Sequence, residues 1–234
     1  MTITRRALWL AQLLRPHTSH VIAFGIDLDG PLDLPRLRSS VDSVLAHIGW
    51  AGVHIPAHLS PADPSCIDPL RQAETPVPSM VVEDLRDHSH PDDESRRRAE
   101  HFIDCADARD LSSPLWASRL HILASDRHRW ILRVHHVLTD GAGAQRLMRH
   151  IGEVYAGSAQ PGDLSVPTTD ELMAIDHRYR NSPRFTADAM YFEKALEHHS
   201  PSLLCATPTG PTSDVVRVTR RLGVARSPET PEIL

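Results

Sequence analysis

Cysteine is scarce in this 234-residue chain: Cys66, Cys105 and Cys205 are odd in number, far apart and in no metal-ligand spacing. That argues against a disulfide framework and a thiolate zinc site, and it favours a reducing, cytoplasmic setting. Aromatic residues make up only 5%. No apolar run approaches the roughly 20 residues that span a bilayer, so no membrane partner is expected. The net charge of −5 gives no basic footprint for nucleic acid. A GxSxG elbow is missing, as is any plausible Cys–His pair, which leaves covalent catalysis by the protein without a nucleophile. Gly141-Ala142-Gly143 is too short for a dinucleotide fingerprint. The opening MTITRRALWLAQLL has two arginines before apolar residues, but Trp9, Gln12 and Arg15 interrupt it and no cleavage site follows. It reads as an amphipathic helix rather than a signal peptide.

What is present is an ordinary globular composition, 41% apolar and 24% charged, over a length that can bury a real core. Ile3, Ala7, Leu10, Ala11 and Leu14 fall at helical spacing. HVIAFGIDL over 20–28 alternates as a strand, closed by Asp29-Gly30-Pro31. Leu34, Leu37, Val41, Val44, Leu45 and Ile48 lie on one helical face. A short strand is expected near 50–55, a proline-rich loop over 56–78, and a strand in VPSMVVEDL. PDDESRRRAEHFIDCA places acids first and arginines later, as a helix dipole prefers. WASRLHILAS and HRWILRVHH are two strands around a break at Asp126-Arg127. A helix with Leu147, Met148, Ile151, Val154 and Tyr155 as its stripe starts near Ala142. Beyond a 157–167 linker, helices fit 169–181 and 184–199, and TSDVVRVTRRL fits a strand. This order predicts an α/β chain, a two-layer α+β lobe with helices packed on a mixed sheet over 1–167. Residues 168–234 then begin something else, and Ser227-Pro228-Glu229 starts a helix only five residues before the last residue.

The chemically suggestive stretch is RVHHVLTDGAG, 133–143. Neighbouring side chains on a strand point to opposite faces, so His135 and His136 cannot address one site together. One packs inward while the other projects toward a possible substrate. Asp140 can fold back to orient an imidazole or hold an arginine, and Gly141 permits close backbone approach at a helix start. A base, an orienting carboxylate and amide donors are the parts of an acyl transfer. The same residues also read as incidental histidines before a capped helix. With sixteen histidines in the chain, the pair alone does not decide. No third ligand at helical or hairpin spacing accompanies it, so no metal is expected.

The wider pattern narrows the choice. RRALWLAQLLRPHTSHVIAFGIDLDGPLDLPRLRSSVDSVLAHI resembles the opening of nonribosomal peptide synthetase condensation domains, with their AQxxxWxxQ-like helix, strand and GxLDxxxLxxAlxxl block. DARDLSSPLWASRLHILASDRHRWILRVHHVLTDGAGAQRLMRHIGEVYAG resembles the same family through its HHxxxDG signature, and AMYFEKAL its later aromatic helix. Three blocks in order spread the resemblance over most of 5–220. It implies a chloramphenicol-acetyltransferase-like pseudodimer of two lobes with the active site in a channel between them. Donor and acceptor peptidyl carrier proteins would deliver substrates on phosphopantetheine arms, with no cofactor bound directly. His136 matches the family's catalytic histidine and His135 the mostly structural one. Asp140 matches the aspartate that shapes the site through a salt bridge, and Gly141 the glycine whose backbone approaches the substrate.

Two departures stand beside the resemblance. Ala51 occupies the place of a family arginine, so a charged contact near the site is expected to be absent. The C-terminal lobe's motifs have no counterpart here. The chain is therefore expected to be the start of a longer polypeptide, inactive as a piece and exposing an apolar surface where its partner lobe belongs. Two rival readings remain open: a stand-alone acyltransferase using acyl-CoA or acyl carrier protein, and a degenerate lobe that only docks partners.

Overall fold

In the computed structural model, residues 2–63, 66, 68–71, 73 and 80–197 are described. Their elements run α1 (Ile3–Leu14), β1 (Val21–Asp29), α2 (Leu34–His47), β2 (Met80–Asp84), α3 (Pro91–Ile103), α4 (Ala106–Arg109), β3 (Trp116–Ala124), β4 (Arg127–His135), α5 (Gly141–Ala156), a 3-10 turn (Pro161–Asp163), α6 (Thr169–Arg180) and α7 (Pro183–Leu196). The sheet order is β1-β4-β3-β2, with β1–β4 and β3–β4 antiparallel and β2–β3 parallel. This is the α/β class with a mixed sheet that the sequence predicts.

The two faces of the sheet follow from the period of two. Trp130, Leu132 and Val134 of β4, opposite Leu120, Ser118 and Trp116 of β3, meet α2 and α5 through Val41, Val44, Leu45, Leu147 and Ile151 in the main core. The alternate set, Arg119 and His121 of β3 with Arg129 and Arg133 of β4, faces α3. There the Arg119 and Arg133 guanidiniums lie 4.8 and 4.7 Å from the Phe102 ring centre and Arg133 donates to Phe102 O at 2.7 Å, while Arg119 also pairs with Glu83 and Arg129 with Asp27. The two-layer arrangement expected from sequence is thus extended by α3, which clads the opposite face. Lying between two strands, β4 is buried almost end to end, which explains why its pattern is nearly continuous rather than cleanly alternating.

Local chemistry sets the element ends. Asp33 caps α2 by accepting from Arg36 N at 3.0 Å, and Thr168 with Glu171 forms a capping box on α6. Gly157, at φ 81°, closes α5 in the left-handed conformation. The β3–β4 turn falls at Ser125-Asp126, and Asp126 O accepts from Gly30 N at 2.7 Å, tying the turn to the end of β1. No strand forms at 50–55. A single bridge joins His54 to Arg71, while Ile55 N bonds to Leu111 O and Leu115 N to Val53 O. Gly49 and Gly52, at φ 70° and 67°, break the extended run. Val53 and Ile55 are nevertheless buried, so the apolar residues were core-forming without being a strand.

The helix expected over 91–106 stops at Ile103 and resumes as the single turn α4. The 157–167 linker contains the 3-10 turn and buries Leu164. On α6 and α7, Ile175, Met190, Tyr191, Phe192 and Leu196 are exposed. TSDVVRVTRRL and Ser227-Pro228-Glu229 lie outside the described residues. Among the described residues, no helix is long and apolar enough to cross a membrane.

Candidate active site

β4 ends at His135, and α5 begins at Gly141 after five intervening residues. Four successive backbone amides from the strand end into this turn have acceptors: His135 N donates to Leu115 O at 2.8 Å, His136 N to His20 O at 2.8 Å, Val137 N to the His135 Nδ1 at 3.1 Å, and Leu138 N to His135 O at 3.0 Å. One histidine packs inward and the other meets a cleft, as expected, although β4 ends at His135 and His136 lies in the turn beyond it. His135 is 1% exposed, and its Nε2 lies 3.2 Å from Oε1 of the buried Gln12 on α1. His136 is half-buried and lines an open cleft of about 1050 Å³, with Asp140, Gly143, Arg146, Arg5 and Trp50 also on its wall.

Electrostatics separate the pair. Burial first, then the neighbouring His20 and His136, push the His135 imidazole down to about 4, so it is neutral at pH 7. His20, across the strand pair from His136, is also lowered, by burial and then by His136 and Arg15.

Neither partner expected for Asp140, an imidazole or an arginine, holds it. Its Oδ1 accepts from Gly143 N at 2.8 Å and its backbone carbonyl from Ala144 N at 2.9 Å, which makes it the N-cap of α5. The reason is distance along the chain: three residues past Asp140, an amide is within reach before any side chain is. Its chemistry is that of a helix start, where Gly141 and Ala142 also lie in the first turn and the positive end of the dipole meets the cleft. A Cβ on Gly141 would meet nothing within 4 Å, so open space adjoins that backbone. The glycine that packing demands is Gly143, where a Cβ would collide with Thr139 Oγ1 and crowd Asp140 Oδ1.

Ala51 packs against the core and offers no charge. A guanidinium reaches the cleft by another route. Arg5 on α1, its side chain 10% exposed, donates from Nε to Val137 O at 3.2 Å and sits 3.9 Å from Asp68 Oδ1. The expected lack of a charged contact is therefore corrected. Arg5, Gln12 and His20 were not legible as site residues, because the contacts that recruit them span 115 residues or more in sequence.

A second constellation has the atoms of a nucleophile–base–acid triad. Ser95 Oγ is 2.9 Å from His121 Nδ1, and His121 Nε2 is 3.9 Å from Glu83 Oε1. Ser95 on α3 and His121 on β3 are both wholly buried where that helix meets the sheet, so no substrate reaches them and the set is structural. Among the described residues no cluster of three or more metal-ligating side chains occurs.

The model of the Condensation domain family matches residues 72–224. An isonitrile lipopeptide synthase from Streptomyces coeruleorubidus is 27% identical over 227 residues, 93% of this chain and 14% of the relative. A dimodular nonribosomal peptide synthase from Bacillus subtilis (strain 168) is 23% identical over 197 residues, 82% of this chain and 8% of the relative. A mutant of the starter condensation domain of rhizomide synthetase, solved in complex with C8-CoA and Leu-SNAC, superposes with a TM-score of 0.70 at 22% identity. That likeness, one of fold, covers 88% of this chain and 47% of the solved one. The chain thus spans a small part of the curated relatives and about half of the solved domain.

Proposed function

The chain belongs to the condensation-domain family, and we propose that, within a nonribosomal peptide synthetase, it carries the histidine that assists amide-bond formation between two carrier-bound substrates. The observation that supports this most directly is His136, half-buried in the wall of a cleft that it shares with the first turn of α5. In the reaction the acceptor amine nitrogen attacks the carbonyl carbon of the donor thioester. The C–N bond forms, the C–S bond breaks, and the proton leaving nitrogen ends on the departing thiol.

His136, half-buried in the cleft wall, is placed to accept a hydrogen bond or proton as the amine attacks. The positive N-terminal end of α5, which meets the cleft at Asp140 and Gly143, is suited to the developing negative oxygen. Asp140 shapes the site by starting α5 where it does. Holding two tethered reactants together contributes up to roughly 7–11 kcal/mol in favourable cases.

In this reading donor and acceptor peptidyl carrier domains present phosphopantetheine arms as substrates. Residues 1–167 form the N-terminal lobe, and 168–234 lead toward a C-terminal lobe that completes the channel. A cytoplasmic setting fits the free thiols of Cys66 and Cys105. The test is His136→Ala in the full-length synthetase with loaded carrier domains, followed by mass spectrometry of the amide product. Loss of product by a factor of about 100 or more supports the assignment. Unchanged yield overturns it and favours a lobe that only docks its partners.

A further inference from the structure

Behind the cleft histidine stands a chain of hydrogen bonds whose direction is fully determined. Gln12 is 2% exposed, and its Nε2 lies 3.2 Å from Thr18 O. A carbonyl only accepts, so the edge of the amide facing Thr18 must be its NH2 group. The oxygen edge then faces His135, and an amide oxygen likewise only accepts. His135 must therefore carry its proton on Nε2 and a lone pair on Nδ1. That lone pair is what Val137 N donates to, at 3.1 Å. Val137 immediately follows His136, whose own amide is held by His20 O. The other tautomer of His135 would set an N–H of the ring against the N–H of Val137, and oxygen-edge Gln12 against a bare lone pair.

We infer that Gln12 is a positioning residue for His136: it selects the Nε2–H tautomer of His135, which supplies the acceptor for Val137 and so fixes the turn from which His136 enters the cleft. The inference rests on reading His136 as the catalytic group, but the hydrogen-bond relay exists independently of it. The burial that holds His135 near 4 keeps Nδ1 free as an acceptor throughout the neutral range. The charged and titratable groups around it are His20, whose ring centre is 6.3 Å away, and His136 beside it. Arg15 acts on His20, and Arg5 holds the carbonyl of Val137. No carboxylate is among the groups that act on His135, so nothing in the native site favours its imidazolium.

Gln12→Glu and Gln12→Leu separate the parts of the relay. A carboxylate at residue 12 still accepts from His135 Nε2–H but turns an acceptor toward Thr18 O. It also favours imidazolium, whose Nδ1–H opposes Val137 N–H, so the turn should loosen as pH falls. Leucine removes both bonds and with them the tautomer preference. The measurement is long-range proton–nitrogen NMR of the 234-residue chain labelled at histidine nitrogens, together with amide exchange.

Native chain should show His135 as the Nε2–H tautomer at pH 7. Gln12→Leu should mix the tautomers and speed exchange at Val137 roughly fivefold or more, the factor one hydrogen bond is worth, ahead of α1 and β4. Gln12→Glu should move the His135 titration upward by at least about one unit. In the full-length synthetase, Gln12→Leu should lower kcat, by up to about 100-fold, with KM little changed. An Nδ1–H tautomer in the native chain overturns the inference, and needs no variant to fold. So does Gln12→Leu with tautomer and Val137 exchange unaltered, or exchange raised uniformly across the sheet. If the NMR results appear but His136→Ala leaves amide formation intact, the relay stands and the catalytic reading fails.

Discussion

Acidification from pH 8 to 5 should cost this protein about 4 kcal/mol of folding stability from two buried histidines, with the lowered His20 adding in the same direction. His135 and His121 are 1% and 0% exposed, and each titrates at about 4 when folded. For His121 burial is the largest cause; Glu83 opposes it, and Arg119, Arg98 and Arg129 add to it. Unfolded, both rings return to about 6.5. Below that value the unfolded chain takes up protons that the folded chain refuses, so stability is fully present above pH 6.5 and is lost as pH falls toward 4. Each ring contributes about 2 kcal/mol by pH 5, reckoned from those two values.

Carboxylates leave this window almost untouched. Asp84 and Glu94, held to about 2 by arginine hydrogen bonds, give up their contribution only as pH falls below the unfolded values near 4. Urea unfolding followed by fluorescence of the buried Trp9, Trp116 and Trp130 measures the loss directly. His121→Leu lowers the starting stability, but the informative quantity is its slope with pH, which should fall to about half. A native curve flat to within about 1 kcal/mol between pH 8 and 5, or an undiminished slope in His121→Leu, would refute the reasoning.

Other outcomes follow from the start of α5. Gly143→Ala should lose about 1–2 kcal/mol in thermal or urea unfolding, because its Cβ forces Thr139 from its rotamer and presses the Asp140 cap. Gly141→Ala should fold within about 0.5 kcal/mol of native in urea unfolding, since its Cβ meets nothing within 4 Å. Asp140→Ala should cost about 1 kcal/mol through the lost cap, and Asp140→Ser should recover most of it. Equal stability of Asp140→Ala and native chain would show that the cap carries no weight.

Local pattern determined a good part of this protein. Periodicity placed α1, α2, α5 and the β3–β4 pair, because a helix or hairpin that buries one face must repeat its apolar residues at 3.6 or 2. Adjacency anticipated the split of His135 from His136 on strand geometry, although β4 ends at His135 and His136 enters the cleft from the turn. It failed at 50–55, where Val53 and Ile55 look like strand and are buried like strand, but two glycines with positive φ turn the chain. Tertiary structure decided which groups serve His136. Gln12 reaches His135 across 123 positions and Arg5 reaches Val137 across 132, and such contacts exist only after α1 docks beside the end of β4. It also turned Asp140 from a supposed partner of imidazole or arginine into a helix cap, because the amide of Gly143 is the donor that the folded backbone brings within reach. Hydrogen-bond partners are fixed by position in space, and a one-dimensional pattern encodes only the neighbours that lie within a few residues.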